Sequence, residues 1–186
     1  MMMQLLWLIF IYFLTGLTVH SKPKFPSQKR KHRFSSTKSL VMSFMIGLGG
    51  VMTADWLSDG NPLWPALGLI SGVAGGLFPV GGKERSFKTG LAVYCGGVFY
   101  LKPVIALTGF SIALEGLILS KDRILTVILF SSILPVLFSF SQINPYFFWT
   151  AVVIQLLFLI VLKNEIRSRI SEFFKSKKKE HDPDKI

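Results

Sequence analysis

Cysteine is nearly missing from these 186 residues: Cys95 stands alone, so no internal disulfide can form and a multi-cysteine metal site is excluded. Charge is scarce as well. Asp, Glu, Lys and Arg make up 17% of the chain, and 10 acidic residues face 21 Lys and Arg, for a net charge of +11. Globular domains carry roughly a quarter charged residues. The low charged fraction, with 17 Phe and a mean hydropathy of +0.51, excludes a disordered or coiled-coil chain. The three histidines, His20, His32 and His181, share no ligand spacing, so no metal site is expected. No G-x-S-x-G elbow, P-loop or dinucleotide-binding glycine fingerprint is present, and no cofactor is expected.

What the chain does have is a series of long uncharged runs. Residues 1–19 hold no charge and are dense in Leu, Ile, Phe, Trp and Tyr, enough to cross a hydrocarbon core of about 30 Å at 1.5 Å per residue. A cleavable signal peptide is the other reading of such a start. It would need a positive amino-terminal region and a small-x-small cleavage site, and neither is found. Residues 124–162 also run without a charge, and Ser141-Gln142-Ile143-Asn144-Pro145 supplies turn chemistry that divides them.

The pattern predicts an all-α, polytopic integral membrane protein with about seven transmembrane helices, near 1–19, 39–57, 62–80, 87–102, 103–119, 124–140 and 146–162. The fourth is the shortest in uncharged residues, which run only from 89 to 101. Charge placement tests the count separately, because Lys and Arg in short loops favour the cytoplasmic side. With the amino terminus outside and the carboxyl terminus cytoplasmic, 20 of the 21 basic residues fall inside and only Lys102 falls outside. Residues 1–165 are expected to form the membrane domain and 166–186 a basic amphipathic cytoplasmic tail. There Ile166, Ile170, Phe173 and Phe174 recur at helical spacing among Lys and Arg, with the end from Lys177 onward solvated and disordered. The basic residues are split among loops rather than gathered in one stripe, so no nucleic-acid partner is expected; membrane lipids are.

Within the spans, Gly68, Gly72 and Gly76 repeat every four residues beside Ser71 and Gly75, leaving one side of span three almost bare backbone. Close packing of another helix is one reading and a ligand lying against that backbone is the other. Glu115 is a candidate intramembrane acid, either functional or reaching the inner interface near Ser120 and Lys121. Asp55 is read as facing water or capping the turn at Asp59-Gly60-Asn61-Pro62, and Cys95 as a packing residue rather than a nucleophile.

Several segments resemble one enzyme family, the acyl-phosphate-dependent glycerol 3-phosphate acyltransferases of the PlsY type. Gly75-Gly76-Leu77-Phe78-Pro79-Val80 is similar to the family's G-H-x-x-P-V segment. Phe87-Lys88-Thr89-Gly90, or Gly81-Gly82-Lys83, is similar to its F-K-G-G-K-G loop, and Asp55 to Gly60 to D-x-x-K-G. Leu162-Lys163-Asn164-Glu165-Ile166 with Arg169-Ile170 is similar to the closing R-H-x-x-N-I-x-R-L segment. The family's His is Gly76 here, its G-S-G-N-x-G-A-T-N loop is reduced to Phe34-Ser35-Ser36-Thr37-Lys38, and no G-G-K-G is intact.

The resemblance implies a seven-helix enzyme of the bacterial cytoplasmic membrane that transfers an acyl group from acyl phosphate to glycerol 3-phosphate, giving lysophosphatidic acid. It implies phosphate and substrate binding by Ser35, Ser36, Lys38, Lys83, Arg85, Lys88, Gly90, Lys163 and Asn164, with no catalytic residue assigned. Because the losses concentrate at the motifs, an inactive relative serving as a lipid-binding or protein-interaction scaffold is the alternative.

Overall fold

Apolar runs with few polar side chains have one local way to satisfy backbone N–H and C=O groups away from water, which is to pair them inside a helix. In the computed structural model, residues 2–18, 29–79, 87–141 and 144–180 are described. Among them lie seven helices: α1 (Met2–Thr18), α2 (Lys29–Trp56), α3 (Leu63–Leu77), α4 (Phe87–Leu101), α5 (Pro103–Ser120), α6 (Arg123–Phe140) and α7 (Pro145–Glu180). Within these, side chains are described for residues 2–17, 38–79, 87–122, 124–141, 144–163 and 166–168.

Two helices outrun their apolar segments. α2 begins at Lys29 rather than near residue 39, and α7 continues from its apolar half straight through the basic tail to Glu180, taking in Lys177–Lys179. Lys, Arg and Glu are good helix formers, and elongating a helix already nucleated by packing adds one hydrogen bond per residue fixed. Lys38–Trp56, Pro103–Ser120 and Pro145–Lys163 are each long and apolar enough to cross a membrane. Met2–Leu17, Leu63–Leu77 and Ile124–Phe140 are apolar but shorter.

The connections obey local chemistry. Between α2 and α3, Asp59 and Gly60 take left-handed backbone angles (φ 50° and 85°), and the Asn61 side-chain oxygen accepts the Leu63 N–H at 3.0 Å. Lys102 alone joins α4 to α5; it is extended (φ −155°, ψ 93°), as the residue before Pro103 must be, and Pro103 starts α5 where a missing N–H costs nothing. Asp122 caps α6, its carboxylate accepting the Ile124 N–H at 2.9 Å. Pro135 lies inside α6, where its ring withholds one backbone donor.

α3 lies at the centre, packed on α1, α2, α4 and α7, while α5 leans on α6 and α4. The core joins Leu69, Val73 and Leu77 of α3 to Val93, Tyr94 and Val98 of α4, and to Leu134, Ile154 and Phe158 of α6 and α7. Tyr94 meets Phe130 edge-on at 6.1 Å and Phe158 at 6.2 Å. α2 and α4 approach to backbone contact, because Gly47 lies against the Val93 backbone and Gly96 against that of Phe44.

Long-range hydrogen bonds order the ends of the bundle. The Gln4 amide donates to the Leu57 carbonyl at 2.9 Å, and the Tyr100 hydroxyl donates to the Asp55 carboxylate at 2.9 Å. The start of α1 therefore shares one end with the finishes of α2 and α4. The later part of α1 reaches the finish of α3, where the Tyr12 hydroxyl donates to the Phe78 carbonyl at 2.7 Å.

Candidate functional site

The end of α3 and the start of α4 bring two of the glycine-bearing segments together. Gly76 and Gly90 are both buried, and a Cβ added at Gly76 would lie 2.8 Å from the Gly90 nitrogen and 2.9 Å from its Cα. A Cβ on Gly90 would in turn lie 2.7 Å from Leu77. The two helices meet backbone to backbone, which only glycine permits at this distance.

α1 closes the same junction from another side. Gly75 packs against the Tyr12 carbonyl and the Thr15 hydroxyl, and Tyr12 also holds the Phe78 carbonyl. Further along α3, Gly72 faces Val93 of α4 and Ile11 of α1, and Gly68 faces Ala54 of α2, where a Cβ would meet that residue's own at 3.1 Å. The Gly68, Gly72 and Gly76 row thus meets α2, α1 and α4 in turn.

Beyond this junction run residues 80–86, which hold Lys83 and Arg85 and lie outside the described residues. On its far side Phe87 packs on the core, Lys88 is exposed in the first turn of α4, and Thr89 is buried.

The other residues singled out from sequence are placed apart. Lys38 is exposed and lines a groove of about 1030 Å³ between α1 and α2. Lys163 is exposed on α7 and lines a second groove of about 510 Å³ with Leu156, Ile160 and Arg167. Ser35 and Ser36 lie in α2 and Asn164 in α7, with side chains outside the described set. Glu115 is exposed on α5 between Leu114 and Ile118, which are also exposed. Cys95 is half-buried in α4.

Two polar pairs were not found from sequence. Half-buried Asp55 joins the turn after α2 through its backbone carbonyl, which accepts from the Ser58 hydroxyl, and its carboxylate also accepts a hydrogen bond from Tyr100 across the α2–α4 contact. Gln155 of α7 donates to the Ser132 hydroxyl of α6 at 2.9 Å. The partners are far apart in the chain, and no local pattern marks either pair.

No family model matches this chain, and no curated protein matches it in sequence. Solved structures do match its fold. A crystal structure of PlsY, an integral membrane glycerol 3-phosphate acyltransferase, in its lysophosphatidic acid form superposes with a TM-score of 0.78 at 18% identity. The match covers 91% of this chain and 92% of that one. The glycerol 3-phosphate form superposes at 0.77 with 19% identity over the same shares. The resemblance stated from scattered motif segments is thus joined by a likeness of fold, and this chain has a PlsY-like fold at low sequence identity.

Proposed function

We infer that this chain is an acyltransferase-like protein of phospholipid synthesis, with seven spans in a bacterial cytoplasmic membrane, its amino terminus outside and its carboxyl terminus in the cytoplasm. The observation that carries the reading is the coverage of the fold match: nine-tenths of the chain follows an enzyme that acts on glycerol 3-phosphate. Orientation follows from the basic residues, 20 of 21 of which this topology puts inside.

In the proposed reaction the sn-1 hydroxyl of glycerol 3-phosphate attacks the carbonyl carbon of an acyl phosphate. The new ester C–O bond forms as the bond to the phosphate oxygen breaks, and the hydroxyl proton leaves with the released phosphate. Acyl phosphate brings its own leaving group, so positioning and charge stabilisation supply the catalysis without a protein nucleophile. Lys83, Arg85 and Lys88, which fall between Gly76 and Gly90 in the sequence, are the cations assigned to the two phosphates in this reading. Lys38 and Lys163 line outward grooves and are left out of that set.

A second reading, the inactive scaffold, is favoured by one observation. The family's His falls at Gly76, and the Gly90 backbone occupies the space a side chain there would need. Rescue separates the two. Expressed in a bacterium whose growth depends on a supplied acyl-phosphate-dependent acyltransferase, an active protein restores growth when that enzyme is withdrawn. Failure to grow, with the protein present in the membrane, contradicts the acyltransferase reading.

A further inference from the structure

A large groove lies between α1 and α2. Its walls are Trp7 and Ile11 on one helix and Met42 and Met45 on the other, with Lys38 at one end and Thr53 at the other. Over the fifteen residues from Lys38 to Thr53 the groove runs roughly 22 Å, taking 1.5 Å per residue. That is close to the length of an extended long acyl chain. Thr53 returns its hydroxyl to the Gly49 carbonyl at 2.7 Å, so among the described residues the groove wall is apolar along most of its length and carries a positive charge at the Lys38 end.

Gly49 supplies a second observation. Gly47, Gly50, Gly68, Gly72, Gly75, Gly76, Gly90, Gly96 and Gly97 all lie against a neighbour that a Cβ would crowd. At Gly49 a Cβ would meet nothing within 4 Å, and the backbone there is helical. Among the described residues neither packing nor a left-handed backbone accounts for this glycine, which costs about 1 kcal/mol of helix propensity relative to Ala. It lies in the groove wall, where a bare backbone widens the space for something outside the chain.

We propose that this groove holds an anionic diacyl phospholipid of the surrounding bilayer, with an acyl chain laid over Gly49 between Met45 and Ile11 and the phosphate on Lys38. An acyl chain asks for no hydrogen bonds, follows the helix axis as its neighbours in the bilayer do, and suits the deformable methionine walls. A phosphate at the interface matches Lys38, the cation that the groove has among the described residues. The site stands whether or not the chain transfers acyl groups, because the phosphate set proposed for that chemistry is Lys83, Arg85 and Lys88 and leaves Lys38 out.

The test uses the purified full chain in neutral detergent, stripped of lipid, with dioleoyl phosphatidylglycerol and dioleoyl phosphatidylcholine added separately and bound lipid counted by native mass spectrometry. The wild type is expected to retain one phosphatidylglycerol about five-fold more tightly than phosphatidylcholine, the preference one lysine near the surface supplies. Lys38→Glu should abolish that preference. Gly49→Leu should abolish retention of both lipids while melting like the wild type without lipid, since its Cβ meets no neighbour; Met42→Trp fills the same groove from an exposed position and serves as the second variant. Retention that is unchanged in Gly49→Leu and Met42→Trp, or a preference that survives Lys38→Glu, overturns the site. A wild-type dimer that Gly49→Leu dissolves, with no dependence on lipid, also overturns it and makes the groove an interface between copies.

Discussion

Gly76 of α3 and Gly90 of α4 touch through their backbones, so that a β-carbon on the first would press on the amide of the second at 2.8 Å. The contact sets the end of α3 against the start of α4, the two described elements between which residues 80–86 fall in the sequence. A histidine, which the resembled family segment carries at this position, would meet the Gly90 backbone.

Gly76→Ala therefore carries an overpacking cost of about 1–3 kcal/mol, set against a helix-propensity gain of about 1 kcal/mol. The net expectation is a lower melting temperature, and Gly76→His should be worse, failing to restore the family motif in function. Thermal unfolding in detergent checks both. A Gly76→His protein as stable as the wild type would show that the junction can open.

Tyr100→Phe removes the hydroxyl that Asp55 accepts at 2.9 Å between α2 and α4. Hydrogen bonds between membrane helices average about 0.6 kcal/mol and reach about 1.7, and a carboxylate acceptor favours the upper part of that range. Asp55→Asn keeps an acceptor oxygen and should cost less than Asp55→Ala. Equal losses for the two Asp55 variants would mean that the pair contributes through packing alone.

Tyr12→Phe releases the Phe78 carbonyl at the finish of α3 while leaving the ring in place. The expected result is a stability loss of about 0.6 kcal/mol and faster proteolysis near residues 80–86, read by limited digestion and mass spectrometry. Unchanged cleavage there would contradict the view that α1 anchors the finish of α3.

The proposed topology can be tested with single cysteines in a Cys95→Ala background. A cysteine at Lys102 should react with a membrane-impermeant maleimide added to intact cells, and one at Lys121 only after permeabilisation. The reverse pattern, or equal labelling of both, would contradict the outside amino terminus.

Much of the helical order could be read in advance because it rests on local chemistry: Pro103 dictates an extended Lys102 and a new helix, Asp122 caps α6, and Ser141–Pro145 separates α6 from α7. Helix length was less legible. Hydropathy falls after Leu162 but the backbone of α7 does not end there, since lysines and arginines extend a formed helix at little cost. The site was legible only in part. Gly49 and Gly76 are alike as letters, and only tertiary packing tells the open one from the crowded one. Lys38 and Lys163 follow similar apolar or basic surroundings, yet each turns outward into its own groove. Asp55 and Tyr100 pair across 45 residues through a helix contact that no short window contains.

The most direct measurement is conversion of radiolabelled glycerol 3-phosphate to lysophosphatidic acid by the purified protein supplied with acyl phosphate. The account predicts product with the wild type and its loss in a Lys83→Ala, Arg85→Ala, Lys88→Ala triple variant that melts like the wild type. No product from the folded wild type, under conditions in which a PlsY enzyme turns over, would contradict it and leave the fold as a scaffold.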